Sequence, residues 1–294
     1  MKGRAARLAR FLRGSYPPLP SLVFAALWAY GVTGLFAALG PGSSAWRPGP
    51  GTAVAAATLF VDLLLMRALD DIRDLDYDRR FEPARPLAAG EVRTDDLAVL
   101  YGAGVLILVV LNAAWPWRAG ILLVQLGYAA GAIAVYLRWR RPSADNLFAS
   151  LLVGLPVPVL LHLYLYAGHL DVSGQRAGAS GAVAVAVVVL AAGHPELARK
   201  ITRAPRAGER TYVTTLGVTG AVSLALAVPA LSAVLLAAFS RAPAGWTLAA
   251  LVPLFAPALA ARAFRRGRTR WPPAAPALYM LLAFASYVAL GLAR

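Results

Sequence analysis

"TAVAAATLFVDLLLMRALDDIRDLDYDRRFEPARP", residues 52–86, decides how the chain is to be read. Its first part, Thr52–Leu69, is apolar apart from Thr52, Thr58, Asp62 and Arg67. It has the length that crosses a bilayer as a helix. From Asp70 onward the composition reverses: residues 70–86 hold five aspartates, one glutamate and the arginines Arg73, Arg79, Arg80 and Arg85. Like charges three and four residues apart destabilise a helix. A membrane segment that ends in such a cluster therefore needs a partner that offsets the repulsion.

The same apolar texture recurs along the chain, which is 294 residues long and 59% hydrophobic with a mean hydropathy of +0.62. Nine stretches stand out: Pro20–Leu39, Thr52–Leu69, Leu97–Ala114, Ala119–Leu137, Leu147–Ala167, Gly181–Gly193, Val213–Phe239, Trp246–Phe264 and Ala274–Leu292. The sixth is short and is expected to begin earlier, through residues 177–180. Backbone groups in hydrocarbon must be paired within their own segment, so each stretch is read as a helix. The expected fold is all-α: a polytopic membrane protein with about nine transmembrane helices in one bundle around a central cavity. One domain spans residues 1–294, with 1–16 as a basic cytoplasmic segment. The apolar run behind that segment is too long for the core of a cleavable signal peptide and suits a first span. There is no cysteine.

The net charge of +15 suggests nucleic acid, but its placement argues for a lipid bilayer. With the N-terminus cytoplasmic and nine alternating spans, only Arg47, Arg118, Arg176, Arg241 and Arg294 fall outside the inner connections, so 24 of the 29 basic residues lie on one side. That asymmetry is what the positive-inside rule requires of a multi-pass protein. No nucleic-acid partner is needed to explain it.

Of fourteen acidic residues, ten lie between Asp62 and Asp96. If the second helix continues past Leu69, Asp70, Asp74 and Asp78 follow one another at i, i+4 and i+8, and Asp71 joins the same face at i+3 before Asp74. Asp76 points elsewhere. Hard cations such as Mg²⁺ take carboxylate oxygens together with phosphate oxygens of a substrate, so the pattern with its interleaved arginines suggests a metal–diphosphate site. The bland alternative is a solvated loop whose aspartates and arginines neutralise each other. Asp62, eight residues earlier, is expected to face a cavity. Arg67 is placed to pair with the cluster or to touch diphosphate. Asn112, Gln125 and His162 read as hydrogen-bonding groups between helices. "GLPVP" (154–158) is expected to kink the fifth span.

"DDIRDLDYD" (70–78) followed by "RPLAAG" (85–90) resembles the first signature of the UbiA superfamily of intramembrane prenyltransferases, N-D-x-x-D-x-x-x-D with Arg-Pro-[Leu/Ile/Val]-x-x-Gly after it. Asp70 stands in place of the asparagine; Asp71, Asp74 and Asp78 match. The family's second signature, D-x-x-x-D after the sixth span, is altered: "GHPELARKITRAPRAGERTYVTTLG" (193–217) has Glu196 and Lys200 at those places. The resemblance implies Mg²⁺-dependent transfer of a prenyl group from an isoprenoid diphosphate to an aromatic or other lipophilic acceptor. It implies Asp71, Asp74 and Asp78 as catalytic residues, and Asp70, Asp71, Asp74, Asp78 and Glu196 as metal ligands. Arg67, Arg73, Arg199, Lys200 and Arg203 would bind the diphosphate, with Lys200 replacing a second metal by a fixed charge. Glu196, Arg199, Lys200 and Arg203 would share one helical face if the sixth helix continues past Pro195, the proline then fitting a first helical turn.

Two other readings stay open. An intramembrane terpene cyclase of the same fold would quench the allylic cation within its own chain. A transporter or lipid-binding protein without catalysis would carry charges at mid-membrane along a path. A CDP-alcohol phosphotransferase is disfavoured, because no "DG" occurs to begin its aspartate motif.

Overall fold

The computed structural model describes residues 3–42, 46–141, 143 and 145–294. Among them there is no strand. Helices α1 (Arg4–Ser15), α2 (Pro18–Leu39), α3 (Pro50–Arg73), α4 (Leu75–Phe81), α5 (Thr94–Asn112), α6 (Pro116–Trp139), α7 (Leu147–Gly154) and α8 (Pro156–Ser173) are followed by α9 (Ala179–Ala198), α10 (Val213–Phe239), α11 (Ala244–Ala249), α12 (Phe255–Arg265) and α13 (Ala274–Leu292). Nine segments among the described residues are long and apolar enough to cross a membrane: α2, α3, α5, α6, α7 with α8, α9, α10, α11 with α12, and α13. The chain is an all-α polytopic membrane protein.

The helices gather into two compact units, one of Met1–Ala26 with Pro50–Tyr164, the other of Leu27–Gly49 with Leu165–Arg294. In the first unit, α1 is built from strong helix formers with Leu8 and Phe11 on one side. Phe11 is fully buried against Ala68, Leu87, Val92 and Leu97, with Leu8 packed on the same cluster. Burying a phenylalanine from water is worth about 2 kcal/mol. Polar contacts reinforce the dock. Arg7 grips Asp96 with two hydrogen bonds, Nε to Oδ2 at 2.6 Å and Nη2 to Oδ1 at 2.7 Å, and Arg4 adds a third at 3.2 Å. The basic N-terminal segment is therefore a docked helix lying against α5 and the 82–93 connection.

The continuous helix expected through the aspartates is jointed. Asp74 sits at φ −95°, ψ 9°, outside helical values, between α3 and α4. Two i→i+4 bonds nevertheless span the joint, from Asp74 N to Asp70 O at 2.9 Å and from Asp78 N to Asp74 O at 2.8 Å, so the four-residue stagger is kept. At the kink expected in the fifth span, α7 ends at Gly154 and α8 starts at Pro156, which has no N–H to offer the preceding turn, while Leu155 between them keeps helical φ −57° and ψ −39° and donates to Leu151 O at 2.9 Å.

In the second unit α9 begins at Ala179, two residues before the apolar stretch, and carries Pro195 in its last turn. The helix stops at Ala198. The expectation that it continues past Pro195 to Arg203, with the proline in a first turn, does not hold. The reason is that the chain pairs elsewhere. Arg203 N donates to Thr269 O at 2.8 Å and Trp271 N donates to Ile201 O at 3.1 Å, tying 201–203 to 269–271. The eighth span passes from α11 through a short 3₁₀ turn at Val252–Leu254 into α12.

Candidate active site

The aspartates of the first unit converge on arginines. Asp71 is 1% exposed. Its Oδ1 lies 2.6 Å from Arg67 Nη2 and 3.9 Å from Arg85 Nη1, while its Oδ2 accepts a hydrogen bond from Ser15 Oγ at 2.8 Å. The Oδ1–Arg67 pair is an ion pair without a well-directed hydrogen bond. Asp78, 3% exposed, accepts from Arg85 Nη1 at 2.7 Å. Arg85 therefore bridges Asp71 and Asp78 across the α3–α4 joint. Asp74 receives Arg73 Nε at 3.2 Å and Nη2 at 2.7 Å, and Asp70 lies 3.2 Å from Arg73 Nη1. Asp76 is exposed on the other side, 3.4 Å from Arg140 and 3.9 Å from Arg79.

Burial pushes the Asp78 carboxyl above its ordinary range; Arg85 pulls it back, and the charges of Asp74 and Asp71 add to the rise. For Arg85, loss of water acts downward and is outweighed by Asp78 and Asp71, so the guanidinium is held more firmly charged. The carboxylates and their arginines form one electrostatic unit, as charges this close in a partly buried place must.

Asp70 and Arg73 are the charged residues on the wall of a cavity of about 260 Å³. The rest of the wall includes Met66, Leu69, Ile133, Tyr136, Val153 and Pro158. Below Met66, Gln125 Nε2 approaches Met66 Sδ and Asp62 Oδ2, each at 3.5 Å. Asp62 and Gln125 are fully buried. Asn112 bridges helices as the sequence suggested, donating to Thr58 Oγ1 at 3.0 Å.

In the second unit Glu196 and Lys200 pair directly, and Arg199 Nη2 lies 3.9 Å from Glu196 Oε2. The Lys200 ammonium also stands 5.7 Å from the centre of the Tyr212 ring. Arg203 is turned away from this pair. Its Nη2 donates to Phe264 O at 3.2 Å and its guanidinium lies 4.6 Å over the Phe264 ring. Glu196, Arg199 and Lys200 are brought together; Arg203 is used to tie down the end of α12.

Ser15 is the contact that sequence reading missed. It lies 56 residues before Asp71 and reaches it only because α1 docks, so no spacing could have announced it. Carboxylate oxygens are donors of the kind Mg²⁺ takes. In the arrangement described they are engaged by guanidinium groups, and among the described residues no three of His, Cys, Asp or Glu are grouped to hold a metal ion. Comparison of the sequence with protein-family models and with curated proteins, and of the fold with solved structures, finds no match.

Proposed function

We propose that this protein cleaves an isoprenoid diphosphate within the membrane and transfers the prenyl group to a lipophilic acceptor. The observation that supports this reading best is a cluster of aspartates and arginines at the end of a membrane helix, with two members, Asp70 and Arg73, lining an otherwise largely apolar cavity. A polar mouth and a greasy interior suit a molecule with a diphosphate head and a hydrocarbon tail. The cavity, about 260 Å³, is just under the roughly 300 Å³ at which small-molecule pockets begin, which favours a short isoprenoid over a long one.

In the reaction, the C1–O bond of the allylic diphosphate breaks and its electron pair leaves with diphosphate. A nucleophilic carbon of the acceptor then forms a bond to C1 and gives up a proton. Asp71, Asp74 and Asp78, with Asp70 beside them, would hold Mg²⁺, which would supply neutralisation of the leaving group. For that, Arg67, Arg73 and Arg85 must exchange carboxylate for diphosphate oxygens, a trade between two anions that guanidinium groups bind equally well in kind. Arg203 is engaged by Phe264, so the reading leans on the other cations. The charge asymmetry supports a cytoplasmic N-terminus and cytoplasmic charged connections.

The test is diphosphate release by the purified protein in nanodiscs, given geranyl diphosphate and Mg²⁺. Asp74→Ala should lower the rate at least a hundredfold, the scale on which preorganised charge contributes to catalysis. Asp76→Asn should leave it within about twofold of the parent, since Asp76 faces solvent. Equal losses would mean that the acidic run acts as bulk charge. Release accompanied by a cyclic hydrocarbon, with no acceptor added, would redirect the reading to a cyclase.

A further inference from the structure

We infer that the first unit binds a phosphate-bearing anion on Arg118, at the end of its spans opposite the aspartates. The inference is independent of the prenyl-transfer reading. Arg118 is in the first turn of α6 and is 2% exposed. Its guanidinium lies 4.8 Å from the centre of the Trp115 ring and 5.0 Å from that of Tyr164. Arg118 Nη2 donates to Tyr164 Oη at 3.1 Å. Tyr164 Oη donates in turn to Asn112 Oδ1 at 2.8 Å, and Asn112 Nδ2 donates to Thr58 Oγ1 at 3.0 Å. Tyr164, Asn112 and Thr58 are fully buried. Arginine can only donate, so the direction of the whole relay is fixed.

That relay holds one nitrogen of the guanidinium and leaves the others. Nε is buried without a partner. Nη1 makes no hydrogen bond, and no carboxylate among the described residues pairs with the group. A buried, unneutralised charge in a membrane protein is costly, and such residues mark binding sites and ion paths. Nη1 faces the start of α3: it lies 3.9 Å from where a Cβ on Gly51 would stand. Gly51 is the second residue of that helix, after Pro50. The amides of a first helical turn have no partner within the helix and carry the positive end of its dipole, which suits phosphate. Two positive features thus meet beside a residue that has no side chain to block the approach. Gly51 and Asp70 are roughly 28 Å apart along α3 at about 1.5 Å per residue, close to the hydrocarbon thickness of about 30 Å. The site therefore lies level with the lipid headgroups of the other interface. A lipid phosphodiester and free phosphate share the chemistry.

The experiment uses the full chain in detergent, titrated separately with phosphatidylglycerol, diacylglycerol and inorganic phosphate. It reads the melting temperature and the number of lipids retained in native mass spectrometry. The variants are Arg118→Gln and Gly51→Leu. The second keeps the buried relay and fills the approach to Nη1, so it decides the matter if the first does not fold. Phosphatidylglycerol should raise the melting temperature of the parent by several degrees. Folded Gly51→Leu should retain one lipid fewer and bind the tightest one at least tenfold more weakly. A rise with phosphatidylglycerol alone assigns the site to a headgroup; an equal rise with inorganic phosphate assigns it to the free anion. If folded Gly51→Leu keeps the same lipid count and shift, or if diacylglycerol stabilises the parent as well as phosphatidylglycerol does, the inference is wrong.

Discussion

At the scale of the residue, charge does most of the ordering outside the spans, and Glu209 shows how. It accepts the Arg206 amide at 2.9 Å and the Arg270 guanidinium at 2.7 Å, and so ties the 199–212 connection to the one that precedes α13. Burial alone would raise its carboxyl; the Arg206 amide, Arg270 and Arg206 outweigh it and hold the group below its usual value. A carboxylate lowered in the folded state stabilises fully above its unfolded pKa of about 4.3 and loses that contribution as the pH falls through the folded value. Both arginines are more than half exposed, so the contribution is about 1 kcal/mol. Glu209→Gln should therefore melt earlier than the parent at pH 7, and the gap should close by about pH 3. A gap that persists in acid would mean that the carboxylate's charge is not what holds the two connections together.

At the scale of the element, what could be read in the sequence depended on what the signal was made of. Apolar length alone gave the spans, because a helix is the only way an isolated segment satisfies its backbone in lipid. The joints escaped. Asp74 leaves helical geometry although its own amide and carbonyl keep their i→i+4 bonds, and the end of α9 is set by a pairing with residues 269–271, far away in sequence. Close helix contact was also illegible without a structure. In the second unit, a Cβ on Gly34 of α2 would lie 2.6 Å from the Tyr287 carbonyl of α13, and one on Gly31 would lie 2.7 Å from that of Phe284. Backbone cannot give way there, so the small residues set the distance between helices. Gly34→Leu should cost about 1–3 kcal/mol by overpacking, or prevent folding. Gly120→Leu, where nothing lies within 4 Å, should be neutral. Equal melting temperatures for the two variants would show that the α2–α13 contact is not tight.

At the scale of the whole molecule, the orientation proposed from the basic residues can be checked directly. If the N-terminus is cytoplasmic, alternation of nine spans would put residues 70–93 and 199–212 inside and 115–118 outside. The chain has no cysteine, so every introduced thiol is the only one present. Arg79 is on α4, 61% exposed, beyond the end of α3; Trp117 is 83% exposed at the start of α6. Neither supports a buried contact, so Arg79→Cys and Trp117→Cys should fold like the parent. In sealed right-side-out vesicles, a maleimide that cannot cross the membrane should modify the second and spare the first until the vesicles are opened. The docking of α1 on Asp96 and on the Phe11 cluster adds a further site: Arg13→Cys, at the last turn of α1, should behave like Arg79→Cys because α1 belongs to the same unit as α3 and lies against the 82–93 connection. Labelling of Arg79→Cys from outside with protection of Trp117→Cys would invert the protein and move the aspartates to the other face. Labelling of both from one side would break the alternation itself, and with it the count of spans between residues 79 and 117.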